Sequence, residues 1–571
     1  MTTREYTVSK LKNAFPQLTE ETIQTMLEIP PEKRLGDYAF PCFRLAKELR
    51  KSPALIAQEA AKQLAEEGAF EKAEAVGPYI NFTMKKETRV ELLKEAVLSD
   101  KERYGAFGAS DEGKGKTIVL DYSSINVAKP FHIGHLRTTV IGNSIHKLYR
   151  FLGYDTFRIN YLGDYGTQFG KMVVAYRKWG NKELVEQQGV QGLLDLYVRF
   201  HQEAKENPEL DDEARRTFTA LEHGDEEIRA IWKWFVDVSL KEVSQVYDLL
   251  DVQFDSYNGE SFFMDKTDAV IQELKEKGLL IESEGAQIVD LSDANMPPCL
   301  VLKRDGSSLY TTRDLAAAIY RKKTYHFYKC LYVTAFDQSL HFAQFFKILE
   351  KMGYDWSKDL VHVPYGLVSL ESGKMSTREG QVVFLKDLLD EAIAKTRNII
   401  LEKNPELDNI EEVSRQVGVG AVVFNDLFNN RIKDETFEWD KVLNFDGETG
   451  PYVQYTYARA KSILRKAGYE AFNAADMHAD ALTDAYAQEI LSIMETFPQK
   501  VKEAADRYEP YIITRFTVSL ASAFNKFYHE NPIMNAEKES VRNARLALTA
   551  LTAEMIKQGL ALIGVQAPEK M

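Results

Sequence analysis

Two histidines spaced three positions apart are the feature of this sequence with the clearest chemistry. They lie in His132-Ile-Gly-His135, after a short apolar strand predicted from Thr117 and at the start of a helix predicted over 132–152. The first turn of a helix presents unpaired N–H groups and the positive end of its dipole, which favour a phosphate. Gly134 has no side chain, so a planar base or a backbone can approach it closely. The imidazoles can donate hydrogen bonds to an α-phosphate as its negative charge grows. The pattern predicts nucleotide chemistry; two histidines that only pair with their own helix start are the alternative.

A polar segment in the other half of the chain supplies the matching charges. Lys374-Met-Ser-Thr-Arg-Glu-Gly380 follows a strand predicted to end at Val368. A mobile loop that carries Lys374 and Arg378 could stabilise a leaving pyrophosphate. Taken alone, the segment is equally a solvated charged loop, so its pairing with the histidines carries the prediction.

Composition limits the classes of protein. The 571 residues suggest about three or four domains, and 44% hydrophobic with 28% charged residues is typical of a folded, soluble chain. A net charge of −14 argues against indiscriminate binding of nucleic acid, although an RNA can still be recognised by shape. Apolar stretches such as 418–424 are too short for a bilayer. With no apolar signal segment near residue 1, a cytoplasmic protein without a membrane partner is expected.

The cysteines predict neither a disulfide framework nor a structural zinc site. Cys42, Cys299 and Cys330 lie far apart, and no C-x-x-C pair occurs. We therefore predict no metal ligands among them.

Strand–helix alternation predicts the fold that must position the two motifs. Residues 117–385 favour an α/β catalytic domain with a doubly wound, Rossmann-like parallel sheet, interrupted by a helical insertion at 181–290. The strand-like runs at 300–302 and 309–312 are assigned to its second half. Asp121 would end a strand at the carboxyl edge, where ligands bind in such sheets.

The flanking regions differ from this central domain. Residues 1–100 mix helical periodicity with a β-like run at 79–84, which predicts a small α+β N-terminal domain. Residues 386–449 are predicted as a helical junction. Residues 450–571 carry long amphipathic helices and indicate an all-α bundle.

Longer stretches around both motifs resemble the class I aminoacyl-tRNA synthetases, and the whole chain resembles the arginyl-tRNA synthetase family. The stretches that carry the resemblance are Asp121-Tyr-Ser-Ser-Ile-Asn-Val-Ala-Lys-Pro-Phe-His-Ile-Gly-His-Leu-Arg137, Leu309-Tyr-Thr-Thr-Arg-Asp-Leu315, Gln338-Ser-Leu-His341, Gly450-Pro-Tyr-Val-Gln-Tyr-Thr-Tyr-Ala-Arg459, Ala567-Pro-Glu-Lys-Met571 and, near the N-terminus, Gly36-Asp-Tyr-Ala39. The resemblance implies ATP with Mg²⁺ as a substrate complex, L-arginine as the amino acid and the tRNA for arginine as partner. Activation would require bound tRNA, the N-terminal domain would contact that tRNA, and a monomer is expected.

The resemblance also assigns roles to residues near the nucleotide. His132, His135, Lys129, Lys374 and Arg378 would be catalytic, and His132, Gly134, His135, Lys374, Met375 and Ser376 would contact ATP. Thr377 stands where the general class I pattern has a second lysine, and Lys129 is thought to supply the missing charge. How Lys129 and Lys374 divide the work stays open.

The arginine pocket follows from both chemistry and resemblance. A guanidinium is a planar fork of donors, best met by carboxylates and neutral acceptors in fixed positions. By resemblance, Asp314 and Tyr310 hold the guanidinium, while Asp121, Asn126 and Gln338 position the amino acid's backbone groups or side chain. Asp314 could equally be an acid favoured by the dipole of its helix, a role compatible with binding.

Contacts to tRNA are expected from two regions. Tyr79 and Asn81 match positions that meet the D-loop in this family. The bundle residues that match anticodon-binding regions are Tyr452, Tyr455, Arg459, Asn525 and Tyr528. Aromatic and guanidinium planes stack on unpaired bases, although such residues on long helices are often core. Two rivals remain, namely another class I synthetase and a non-enzymatic RNA-binding paralogue.

Overall fold

The structure is a computed structural model and describes residues 2–99, 109–304, 309–370, 384–469 and 471–571. Its strands, in chain order, are β1 (Tyr38–Pro41), β2 (Lys72–Val76), β3 (Tyr79–Thr83), β4 (Thr117–Asp121), β5 (Asp155–Ile159), β6 (Leu280–Ser283), β7 (Ala286–Val289), β8 (Cys299–Leu302), β9 (Lys329–Ala335), β10 (Leu360–Tyr365), β11 (Val368–Leu370) and β12 (Glu435–Phe437).

Helices account for most of the chain. In order they are α1 (Thr3–Ala14), α2 (Glu20–Met26), α3 (Ala46–Leu49), α4 (Pro53–Glu66), α5 (Lys86–Leu98), α6 (Ile133–Phe151), α7 (Thr167–Trp179), α8 (Lys182–Gln188), α9 (Val190–Glu206), α10 (Glu209–Glu222), α11 (Glu226–Leu250), α12 (Thr267–Glu276), α13 (Tyr310–Tyr325), α14 (Ser339–Lys351), α15 (Leu385–Lys403), α16 (Ile410–Asp426), α17 (Trp439–Val442), α18 (Gly450–Ala467), α19 (Ala485–Met494), α20 (Phe497–Arg507), α21 (Tyr511–Glu530) and α22 (Glu539–Leu562).

The central domain is built on a parallel sheet of order β10-β9-β4-β5. Successive residues of β4 face opposite sides, because side chains alternate along a strand. Ile118 and Leu120 join the core formed with α6 and α7, whereas Val119 joins the core formed with α13 and α14. Helices therefore cover both faces, which confirms the predicted doubly wound α/β architecture.

Two segments predicted as strands of this sheet are placed differently. Residues 300–302 do form β8, but β8 pairs antiparallel with β7 in a separate sheet of order β6-β7-β8. Residues 310–312 form the first turn of α13 rather than a strand. Their β-branched threonines pack the helix start onto β8, where the Thr312 hydroxyl donates to the Val301 carbonyl at 2.9 Å. Tertiary packing thus overrides the strand preference of Thr311 and Thr312.

The flanking parts have the predicted characters. Residues 2–99 form a small α+β unit whose antiparallel sheet, of order β1-β3-β2, packs around Phe40, Ile80 and Phe82. The helices from α18 to α22 form an all-α bundle, and α8 to α12 make up most of the insertion predicted at 181–290. The last residues of that insertion form β6 and β7 instead of helix, because they pair with β8 in an antiparallel sheet. We interpret α15 to α17 as the junction between sheet and bundle.

A buried polar cluster fixes the N-terminal unit against the bundle. The Arg89 guanidinium pairs with Asp37 at 2.6 Å and lies 3.7 Å from the Glu495 carboxylate. The Thr3 hydroxyl donates to the same Glu495 carboxylate at 2.7 Å. These charge-assisted contacts set the position of α19 relative to β1 and α5.

Candidate active site

A cavity of about 940 Å³ opens at the carboxyl edge of the parallel sheet. Parallel sheets of this type bind ligands at that edge, where strand order reverses. The predicted residues that line the cavity are Asp121, Asn126, His132, Gly134, His135, Tyr310, Asp314 and Gln338. The fold thus brings residues separated by up to about two hundred positions into one site.

The two motif histidines form the start of α6. His132 precedes the helix, and its Nδ1 accepts from the Gly134 N–H at 3.1 Å. In return, the His135 Nδ1 accepts from the His132 N–H at 3.2 Å. A Cβ atom at position 134 would lie only 2.8 Å from the His132 ring, so glycine suits this packing.

These bonds fix the chemistry that each ring can perform. Because both Nδ1 atoms accept from backbone N–H groups, each neutral ring carries its proton on Nε2. Burial lowers the pKa of His132. Burial also lowers the pKa of His135, to about 3, and the neighbouring His132 and Lys129 lower it further by disfavouring a second positive charge. Both rings are thus neutral near pH 7 and act as Nε2–H donors.

The loop between β4 and α6 is held in an unusual conformation. Ser123, Ser124 and Ala128 have φ of 70°, 45° and 59°, a left-handed backbone that non-glycine residues rarely adopt. The insertion helix α11 secures this loop, because the Tyr247 hydroxyl lies 2.6 Å from the Ser123 hydroxyl and the Ser239 hydroxyl accepts from the Ala128 N–H at 2.9 Å. The insertion therefore shapes the approach to the histidines.

Four of the predicted residues lie outside the described part of the chain: Lys374, Met375, Ser376 and Arg378. The described residues on either side are attached to the α6 region. The Leu385 N–H donates to the Phe131 carbonyl at 2.8 Å, and the Arg137 guanidinium donates to the Gly366 carbonyl at 3.2 Å. The described residues on both sides of residues 374–378 therefore lie beside the first motif.

Lys129 is exposed on the loop before α6. It does not line the cavity, but its positive charge contributes to the lowered pKa of His135.

The other part of the cavity is acidic. Asp314 and Glu260 both line it, together with the half-exposed Tyr310 ring. Burial raises the pKa of Glu260 to about 7, although an ion pair with Arg313 at 3.5 Å opposes the shift. Nothing in the local sequence singled out Glu260. Its neighbour Gly259 packs against the Leu162 carbonyl, where a side chain would collide, and this contact becomes visible only in the folded structure.

Asp121 is already paired inside the protein. Its Oδ2 lies 2.7 Å from the buried Arg321 guanidinium, and its Oδ1 accepts from the Ser124 hydroxyl at 2.7 Å. Arg321 is held between the rings of Tyr161 and Tyr332, at 5.2 Å and 5.3 Å from their centroids. Sequence reasoning missed this arginine, which follows the apolar run 316–320 and precedes two lysines near the end of an ordinary-looking helix.

A second candidate site lies in the bundle. Arg459 donates to the Asn525 side chain at 2.6 Å, and Asn525 donates to the Tyr452 hydroxyl at 3.0 Å. The Arg459 guanidinium also lies over the rings of Tyr455 and Tyr528, at 4.8 Å and 5.6 Å. These rings are 41% and 43% exposed, so they are not core residues. All five predicted residues therefore form one network, and all of them except Tyr528 line a cavity of about 620 Å³.

The two N-terminal residues predicted to meet RNA differ in accessibility. Tyr79 is half-buried and packs edge-on against the exposed Phe43 ring, with centroids 5.2 Å apart. Asn81 is only 8% exposed on the central strand β3. Its role in binding stays a prediction.

Among the residues that the structure describes, no group of three or more histidine, cysteine, aspartate or glutamate side chains is arranged to hold a metal ion. No described helix has both the length and the apolar character required to cross a membrane.

Three family models of known proteins match successive parts of the chain. Residues 94–439 match the family of class I (R) tRNA synthetase catalytic domains, residues 4–84 the arginyl-tRNA synthetase N-terminal domain, and residues 453–571 the DALR anticodon binding domain. The parallel sheet of this chain, with the histidine pair at its carboxyl edge, thus lies in the catalytic domain of a class I tRNA synthetase.

Comparison with individual proteins identifies the family within this class. An arginine–tRNA ligase of Clostridioides difficile is 54% identical, with 98% of each chain covered. One from Halothermothrix orenii is 51% identical, covering 100% of this chain and 99% of the relative. The solved arginyl-tRNA synthetase of Thermus thermophilus superposes with a TM-score of 0.81 at 26% identity, covering 98% of this chain and 99% of that one. The chain belongs to the arginyl-tRNA synthetase family.

Proposed function

We propose that this chain attaches arginine to its tRNA in two steps. The arginine carboxylate first attacks the α-phosphate of ATP, which forms arginyl-adenylate and releases pyrophosphate. A hydroxyl of the tRNA 3′-terminal ribose then attacks the carbonyl carbon, and AMP leaves. The observation that carries the proposal is a single cavity that joins a histidine pair to an acidic pocket.

The acidic part of the cavity suits the arginine side chain. Asp314 and Glu260 offer carboxylate oxygens to a guanidinium fork, and the Tyr310 ring offers a face and a hydroxyl. Lysine has no fork, so it would leave buried acceptors unpaired and bind much more weakly. Asp121, Asn126 and Gln338 are proposed to orient the rest of the amino acid, with Asp121 held in place by Arg321.

The histidine part of the cavity suits the phosphates. The Nε2–H groups of His132 and His135 donate to α-phosphate oxygens as charge develops in the transition state. Lys129, Lys374 and Arg378 add positive charge for the leaving pyrophosphate. Gly134, Met375 and Ser376 are proposed as further ATP contacts, and Mg²⁺ arrives as part of the ATP substrate complex. No protein nucleophile is needed, because the substrate carboxylate attacks directly.

Binding of tRNA is assigned to both ends of the chain. The Arg459 network offers exposed planes on which unpaired anticodon bases can stack, and Tyr79 with Asn81 is proposed to meet the D-loop. We further propose that activation of arginine requires bound tRNA, and that the enzyme acts as a monomer in the cytoplasm.

The direct test is ATP–pyrophosphate exchange with each standard amino acid, with and without total tRNA. Exchange with arginine alone, and only when tRNA is present, is expected. Exchange with a different amino acid would assign another synthetase activity. No exchange from folded protein that still binds tRNA would favour a non-enzymatic RNA-binding role.

A further inference from the structure

A histidine that sequence reasoning left without a role contacts both proposed ligands of the guanidinium. The His341 Nε2 lies 2.7 Å from the Asp314 Oδ2. The His341 ring also packs edge-on against Tyr310, with centroids 4.9 Å apart and planes at 66°. All three side chains line the same cavity.

The direction of the hydrogen bond is fixed by chemistry. An ionised carboxylate can only accept, so the His341 Nε2 carries a proton and donates it to Asp314. One oxygen of Asp314 is thereby held, and the other oxygen can be aimed at a ligand. The two side chains are only 17% and 22% exposed, so little water competes for this bond.

The imidazole is itself held in place by α14. Its ring stacks near Phe345, with planes at 20°, and touches Phe342 at a centroid distance of 5.3 Å. A rigid donor costs little conformational entropy when the ligand arrives, which is the requirement for a preorganised site.

A purely structural role would be a bond that joins α13 to α14. These helices already share an apolar core that includes Leu315, Ala318, Phe342 and Phe345. The two helices are therefore joined by contacts that do not involve His341, and a bond facing the cavity suits a ligand better than a core.

We propose that His341 is a positioning residue for arginine specificity: by holding Asp314 and packing on Tyr310, it aligns both groups for the guanidinium. This inference rests on the proposed function. His341 makes no contact with the reacting phosphate and acts only through the residues that it orients.

The test compares steady-state arginine kinetics of His341→Leu, His341→Gln and the unaltered chain, each with saturating ATP and tRNA. Leucine removes the donor and glutamine keeps one. We expect His341→Leu to raise KM for arginine about 10- to 100-fold, since a hydrogen bond to a charged group is lost, with kcat and KM for ATP within about threefold. His341→Gln should recover most of the loss.

His362 provides a matched control. It packs on the same Phe342 ring, at 4.5 Å, but its Nε2 meets the Thr334 hydroxyl instead of a carboxylate. His362→Leu should change KM for arginine less than threefold, and a change as large as that of His341→Leu would overturn the inference.

Other outcomes also decide. An unchanged KM for arginine in His341→Leu overturns the inference. A fall in kcat without a rise in KM for arginine overturns it as well. If His341→Leu does not fold, His341→Phe, which keeps a ring but not the donor, is measured instead: a KM for arginine raised about tenfold or more supports the inference, and a smaller change overturns it. Absence of arginine-dependent exchange in the unaltered chain would instead refute the proposed function.

Discussion

The Arg321 guanidinium and the Asp121 carboxylate form an ion pair of 2.7 Å on the floor of the cavity. Both side chains are buried, and the two tyrosine rings that flank Arg321 exclude water from it. The protein thus contains an arginine of its own at the base of a pocket proposed for free arginine. Because Arg321 pairs with Asp121, Asp314 and Glu260 are the carboxylates that we propose for the substrate guanidinium.

This pair predicts a large effect on stability. Arg321→Met removes the cation and leaves Asp121 buried without its partner, which should lower the free energy of unfolding by about 3–5 kcal/mol. Urea denaturation followed by fluorescence would measure the loss. The double variant Asp121→Asn with Arg321→Met should recover part of it, and equal midpoints for the single variant and the unaltered chain would contradict the argument.

The histidine pair predicts a change in rate rather than in binding. His132→Ala and His135→Ala each remove a donor to the α-phosphate, so kcat for pyrophosphate exchange should fall about 100- to 1,000-fold. KM for arginine should stay within a few fold. His223, an exposed histidine at the end of α10, is the matched control, and His223→Ala should leave kcat unchanged.

The acidic pocket predicts a change in binding. Asp314→Asn removes a charge from the proposed guanidinium site, so KM for arginine should rise at least 10-fold while KM for ATP changes little. Asp359, at the opposite edge of the sheet just before β10, provides the control. Asp359→Asn should leave KM for arginine and KM for ATP unaltered. Unchanged arginine dependence in Asp314→Asn would reject the assignment of the pocket.

Glu260 predicts a pH dependence of arginine affinity. Burial raises the pKa of this carboxyl to about 7, so below pH 7 it is mostly neutral in the free protein. A guanidinium favours the ionised form, and its binding therefore releases a proton; affinity should rise as the pH increases from 6 to 8. Calorimetry in buffers of different ionisation enthalpy would detect the proton. In Glu260→Gln this pH dependence should shrink, and an identical profile would exclude Glu260 as its source.

The bundle network predicts a selective loss of tRNA affinity. Arg459→Met removes a guanidinium plane between two exposed rings, so KM for tRNA should rise about 10-fold. Arg459→Lys keeps the charge but not the plane and should recover only part of the affinity. Arg515, whose guanidinium stacks on Phe428 at 4.6 Å, is the matched control. An equal effect of Arg515→Met would indicate a general loss of charge.

Much of the architecture could be predicted because it depends on local patterns. The strand before His132, the helix after it and the long helices beyond Gly450 all follow from apolar periodicity and turn residues. Residues 309–312 show where local preference fails: their strand-like threonines start α13 because β8 lies beneath them.

The residues of the site also fall into two groups, those that could be predicted from the sequence and those that could not. The spacing of His132 and His135 predicted nucleotide chemistry from the sequence, and the family resemblance of the stretch around Tyr310 and Asp314 implied the arginine pocket. The folded structure alone shows that Glu260 lines the acidic pocket, that Arg321 pairs with Asp121 and that His341 contacts Asp314. The physical reason is that a hydrogen bond or ion pair depends on distances of about 3 Å between side chains. Those distances are set by the packing of α13 and α14 on the sheet, and no local sequence pattern records them.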